Sequence, residues 1–321
     1  MVYNTFLETV KTSLQSRLGE EYSVITHPIP KNNGLTLDGL CIGTSTQEAI
    51  PTIYLNSYYT AYENGMSMND ILTDIVNLYE TSCFPPEIER KALQSVEFAE
   101  SRIIYRLINE PANRAILAEV PHMSLPGLDL VLVFYLILGE DDNGQYSAMI
   151  KNSQLTLWNL KAEDLLASAR INTPWLFPAR IRTMTEVLKE MTAEAMGTEY
   201  NEHELDHVLQ DTGWESPFYV LTNRSGLYGA SCICYEGILK DFAASLGQDL
   251  LILPSSIHEV LIIPNSEGLS YRDISNMICR INEEEVPVED HLSNHLYYYS
   301  MAEDRLSIAF NSSAPIGTEN P

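Results

Sequence analysis

The chain has 321 residues, 45% apolar and 20% charged, which fits one large folded domain or two ordinary ones and excludes a wholly disordered polymer. Its 44 acidic against 19 basic residues leave a net charge of −25, a field that opposes direct binding to nucleic acid or to anionic membranes. The longest apolar run, Leu130 to Leu138, is far short of the ~20 residues that a membrane span needs.

The first segment reads as an amphipathic helix capped at Asn4 or Thr5, with Leu7, Val10, Leu14 and Leu18 at helical spacing. It carries Glu8, Lys11 and Arg17 and has no unbroken apolar stretch of the secretory kind. Tyr22, Val24 and Ile25 open a strand, Asn33-Gly34 marks a hairpin turn, and Leu35 to Ile42 returns. Pro51 to Leu55 reads as another strand. Helices are expected over Tyr58 to Asn64 and Met68 to Tyr79. A longer one opens at Pro85-Pro86, carries Ile88, Val96, Ile103, Ile104 and Leu107, and closes near Pro111.

The middle turns to strands. Leu130 to Leu138 is continuously apolar, hence buried, and turns at Asp142-Asn143-Gly144 into Tyr146 to Ile150. A helix begins near Ala162, and Pro174 and Pro178 mark an irregular, well-packed connection. Thr183 with Glu186 is a capping box for a helix from Met184 to Met196. Residues 198–215 are polar and irregular and form the expected boundary. The last third reads as a strand at Phe218 to Leu221, a helix at Glu236 to Leu246, and strands at Leu250 to Leu253 and Ile257 to Ile263. A helix capped by Ser270 and a hairpin of Leu296 to Tyr299 with Leu306 to Phe310 close it. Hairpins and helices in uneven groups predict an α+β fold with mainly antiparallel sheets, in two closely associated parts. The expected divisions are 1–197, 198–310 and a disordered tail at 311–321.

Two motifs carry candidate chemistry. His203-Glu204-Leu205-Asp206-His207 spells H-E-x-x-H, in which two histidines one helical turn apart hold zinc and the glutamate activates water. On a helical wheel Leu205, Val208 and Leu209 take the buried face, leaving His203 and His207 toward solvent, the wrong side for a catalytic zinc. The second motif is Ser256, His258 and Glu259 at a strand turn, a hydroxyl, an imidazole and a carboxylate together. Alternate strand residues share a face, so Ser256 and His258 would point one way and Glu259 the other. The bland alternative is that Ser255 and Ser256 satisfy backbone groups in the turn.

Weaker signals remain. His291 and His295, four apart, read as an exposed loop before the last hairpin. Tyr58, Tyr59 and Tyr62, and Tyr297 to Tyr299, fit half-buried packing better than binding faces. The five cysteines, Cys41, Cys83, Cys232, Cys234 and Cys279, form an odd, sparse set suited to reduced thiols in the cytoplasm. Cys232 and Cys234 would share one face of a strand. No P-loop and no G-x-G-x-x-G occurs, so no cofactor is expected.

Four stretches carry a resemblance: Pro51 to Asn56 with Tyr58 to Gly65, Asn172 to Pro178, Tyr219 to Asn223, and Leu253 to Val260. Together they resemble the uncharacterised bacterial family DUF5688, a domain of unknown function. The resemblance implies a bacterial cytoplasmic setting and supplies no activity, cofactor or catalytic residue. The favoured expectation is a non-enzymatic interaction protein with a protein partner. A hydrolase, built on Ser256 and His258 or on zinc at His203 and His207, comes second. An acidic mimic of nucleic acid is third, with the dispersal of the acid against it.

Overall fold

The computed structural model describes residues 1–44, 52–81, 95–141, 144–196 and 218–310. The junction expected near residue 200, the H-E-x-x-H segment and the tail from residue 311 lie outside those residues. The chain divides into two compact units, one of Met1–Leu93 with Ile137–Ala148, the other of Gln94–Leu136 with Met149–Pro321. Among the described residues the strands pair antiparallel, and helices and strands both abound, so the fold is α+β.

In the first unit, helix α1 (Tyr3–Leu18) precedes a sheet of β1 (Tyr22–Pro30), β2 (Thr36–Thr44) and β3 (Thr52–Tyr54). Asn33 takes the left-handed conformation at φ 58° in the turn between β1 and β2, which an Asn-Gly pair tolerates. The Gln15 side chain fastens α1 to β1. Its Nε2 donates to the carbonyls of Gly19 and Tyr22, and its Oε1 accepts from the Val24 N–H. Helices α2 (Leu55–Glu63) and α3 (Met68–Thr81) follow. Phe6, Val10 and Leu14 of α1 bury their face in one core with Leu40 and Ile42 of β2 and Ile71 and Ile75 of α3. The cap of α1 is Val2, ahead of the expected Asn4 or Thr5.

The second unit corrects the long helix expected from Pro85 to Pro111. Among the described residues that stretch holds only a short helix, α4 (Val96–Glu100), and then strand β4 (Ile103–Asn109). Isoleucine-rich sequence from Ile103 to Ile108 satisfies helical spacing, but broken only by Arg106 it also makes a buried strand, and pairing with the buried β6 (Leu130–Asp141) decides the matter. The sheet also holds β5 (His122–Ser124), paired to β6, and β7 (Gly144–Met149), which pairs with β6 and belongs almost wholly to the first unit. A short helix α5 (Arg114–Leu117) lies between β4 and β5.

The second edge of β4 is closed by side chains rather than by a strand. The Tyr105 N–H donates to Thr173 Oγ1 at 3.1 Å, and the Leu107 N–H to Ser231 Oγ at 3.1 Å. Thr173 comes from α7 (Ala162–Leu176), which follows α6 (Asn152–Trp158). Ser231 comes from a 3-10 turn, Gly229–Cys234. Both hydroxyls are buried, so each answers a donor that water cannot reach. That 3-10 turn also corrects the strand expected at Cys232 and Cys234.

The largest sheet runs β13 (Arg305–Phe310), β12 (Leu296–Ser300), β10 (Leu250–Leu253), β11 (Val260–Pro264), β9 (Tyr219–Asn223), β8 (Ala179–Thr183). Helix α8 (Met184–Met196) starts at the expected capping box. Thr183 Oγ1 accepts the Glu186 N–H at 3.2 Å, and the Glu186 carboxylate accepts the Thr183 N–H at 2.8 Å. Helix α9 (Ile238–Leu246) ends at left-handed Gly247. Ser270 caps α10 (Tyr271–Glu284) by accepting from the Asp273 N–H. Ile278 of α10 packs with Leu251, Leu253, Ile263 and Leu296.

Candidate functional site

Residues 254–259 form the connection between β10 and β11, longer than the expected three-residue turn because β11 begins at Val260. This connection pairs with residues 290–293. The Ile257 N–H donates to the Asp290 carbonyl at 2.8 Å, the Leu292 N–H to that of Ser255 at 3.1 Å, and the Ser293 N–H to that of Pro254 at 2.8 Å. Backbone bonds therefore set where the three candidate side chains point.

Ser256 Oγ accepts the N–H of His258 at 3.0 Å, a local turn bond of the kind serine favours. The imidazole of His258 looks elsewhere. Its Nδ1 accepts the Tyr228 N–H at 3.3 Å, and its Nε2 lies 3.2 Å from Asp290 Oδ1. A backbone amide can only donate, so Nδ1 holds the lone pair and Nε2 carries the proton toward Asp290. A Ser–His dyad needs one ring nitrogen bonded to the hydroxyl. Both nitrogens of His258 are engaged, neither by Ser256.

Glu259 precedes β11 and so lies off the strand, with Ser256, His258 and Asp290 near its carboxyl. Burial pushes its carboxyl above the usual range, His258 opposes that, and the Asp290 charge adds to it.

Around this group the backbone is held hard. Tyr228 adopts φ 55°, uncommon for a bulky residue. Its ring lies 5.5 Å from that of His258 and 3.8 Å from the Arg106 guanidinium, which also lies 4.0 Å from the Tyr135 ring. The Thr222 hydroxyl donates to the His258 carbonyl at 2.8 Å.

A second group, which no motif announces, is centred on Asp129. Its Oδ2 accepts from Asn109 Nδ2 at 3.0 Å and Ser293 Oγ at 2.8 Å and lies 3.1 Å from His295 Nδ1, while its Oδ1 accepts from the Tyr297 hydroxyl. Burial alone would raise this carboxyl. The bonds from His295, Tyr297 and Ser293 outweigh it and hold the group below the usual carboxylate range. His295 and His291 are half-buried rather than exposed, and His291 Nε2 contacts the Val286 carbonyl at 2.7 Å. Tyr297 and Tyr299 are buried, as half-buried packing anticipates for that run.

Asp129 also lines a cleft of about 670 Å³ with Glu110, Arg114, His122, Leu117 and Ile308. His122 Nδ1 lies 3.0 Å from the Val120 carbonyl, which can only accept, so Nδ1 carries a proton and Nε2 is the nitrogen left to other partners.

A third feature is apolar. On α7, Ile171 and Trp175 are one turn apart and 74% and 81% exposed. The connection around Pro174 is thus not the packed one expected: Pro174 lies inside the last turn of α7, and its neighbour Trp175 projects outward.

The Cys232 and Cys234 thiols are pushed up to about 12 by burial, which keeps them protonated and poor metal ligands. Among the described residues no three His, Cys, Asp or Glu side chains converge as a metal-binding group, and His203 and His207 lie outside those residues. Among the described residues no helix is long and apolar enough to cross a membrane.

The profile of a family described as Family of unknown function (DUF5688) matches residues 3–301. No curated protein and no solved structure matches the chain.

Proposed function

The chain belongs to DUF5688, and on that premise we propose that it is a non-enzymatic interaction protein of the bacterial cytoplasm that binds a protein partner through the outer face of α7. The observation that carries this is Trp175. An indole 81% exposed, with Ile171 one turn away at 74%, leaves a large apolar area in water near the end of α7. Tryptophan is among the residues most enriched at the energetic centre of protein interfaces. The partner offers an apolar recess for the indole. It carries net positive charge, because the −25 of this chain speeds encounter with such a surface.

A hydrolase built on Ser256 has less support, since the His258 imidazole is bonded to Tyr228 and Asp290 instead.

The test compares wild type with Trp175→Ala in quantitative affinity purification at physiological salt, followed by reconstitution with the purified partner. Because Trp175 touches little of its own chain, the variant should fold normally, with an unchanged urea midpoint. The expected result is one dominant partner whose affinity drops by at least about tenfold in the variant. A partner set indistinguishable between wild type and variant would overturn the proposal.

A further inference from the structure

We propose that the cleft beside Asp129 binds a small zwitterion of the amino-acid or short-peptide class, one carrying an aliphatic side chain. This stands apart from the α7 surface and uses none of its residues.

The cleft brings side chains of both signs together. Arg114, at the first position of α5, lines the cleft and makes no ion pair among the described residues. His122 Nε2 is available on the same cleft, as its other nitrogen is committed to the Val120 carbonyl. Arg114 supplies the donors for a carboxylate, while His122 Nε2, which bears the lone pair once Nδ1 holds the proton, accepts from an ammonium.

The remaining polar lining is of opposite sign. Glu110 is positioned by the Ser124 hydroxyl at 2.9 Å and by its own N–H, which donates to the Asp129 carbonyl at 2.8 Å. Asp129 is fixed as an anion by its donors. Its Oδ2 is crowded by Asn109, Ser293 and His295, whereas among the described residues Oδ1 takes the Tyr297 hydroxyl alone and keeps a lone pair for a further donor. A dianion such as phosphate would meet two carboxylates here, and a simple amine would leave Arg114 unanswered. A molecule with an ammonium and a carboxylate answers both. Leu117, Leu128 and Ile308 provide an apolar wall for its side chain. At about 670 Å³ the space lies within the range of small-molecule sites and admits either a free amino acid or a short peptide.

The experiment is calorimetric titration of the full chain at pH 7 with L-leucine and with tri-leucine. Leucinamide (no carboxylate) and N-acetyl-leucine (no ammonium) are the blocked controls. We expect leucine or tri-leucine to bind at least about tenfold more tightly than either blocked compound. Leucine ahead of tri-leucine identifies free amino acids as the class, and the reverse identifies peptides. Arg114→Gln should reduce the zwitterion to the level of leucinamide and leave leucinamide itself unchanged. Glu110→Gln should do the converse with N-acetyl-leucine. Arg114 is exposed, so its variant retains the fold, and the unchanged binding of one blocked compound to each variant verifies this within the assay. No binding of either zwitterion below about 10 mM, equal binding of blocked and free compounds, or insensitivity to both variants would overturn the proposal.

Discussion

Gly229→Ala tests how the His258 group is held. A methyl built on Gly229 would sit 2.5 Å from the Asn223 amide nitrogen and 2.6 Å from the His258 carbonyl oxygen, and it would overlap the Thr222 hydroxyl. Ordinary contact begins near 3.4 Å, so two backbone segments must part by close to an ångström. Neither obstacle is the loose end of a side chain. Overpacking of this kind costs about 1–3 kcal/mol, and losing the Thr222 to His258 bond adds about 1 kcal/mol. We therefore expect about 3 kcal/mol of destabilisation in all. With a urea slope of about 3 kcal/mol per molar, the midpoint should fall by about 1 M. The assay is equilibrium urea unfolding followed by tryptophan fluorescence. A midpoint within about 0.2 M of wild type would refute the reasoning, for it would mean that the β9 loop and the 254–259 connection are not in contact as described.

Two other substitutions address the polar interior. Thr173→Val keeps the shape of the side chain but leaves the Tyr105 N–H without its acceptor on the closed edge of β4. It should cost about 1–3 kcal/mol in urea unfolding, and a change below about 0.5 kcal/mol would show that the hydroxyl is dispensable. Asp129 has a folded pKa below its unfolded one, so its contribution is fully present above the ordinary carboxylate range and is lost as pH falls through the folded value. Asp129→Asn should therefore be less stable than wild type by about 2–3 kcal/mol at pH 7, with the gap narrowing at pH 3; an equal gap at both pH values would refute the assignment.

Local chemistry was legible in the sequence and long-range pairing was not. Asn33-Gly34, the Thr183 and Glu186 box and the Ser270 cap each act within a few residues, and all three stand where the chain foretold. The expected helix holds at Val96–Glu100 but fails from Ile103 to Leu107, because isoleucines fit both a helix face and a buried strand. Only the partner strand β6, more than twenty residues away, chooses between them. Asp290 was invisible as the partner of His258 for the same reason, as were the donors to Asp129, which come from as far as Tyr297. Trp175 was misjudged differently. An aromatic residue beside a proline suggests packing, yet the proline is accommodated within the last turn of α7 and the indole turns to solvent.

Residues 290–297 tie the two polar groups of the second unit together. Asp290 holds His258 and gives its carbonyl to Ile257. Ser293, His295 and Tyr297 converge on Asp129, and the Ser293 carbonyl accepts from Asn282 of α10. The Leu292 carbonyl accepts from Asn109 at the end of β4. One short stretch thus fixes the 254–259 connection on one side and the carboxylate lining the cleft on the other. Buried polar partners of this kind are costly to leave unmet, so they penalise any shift of the stretch along its neighbours. A slip of one residue would strand Asp129 and expose the His258 imidazole at the same time. The cleft is consequently a preformed feature, and a ligand entering it meets Asp129 already charged and oriented, with little ordering left to oppose binding.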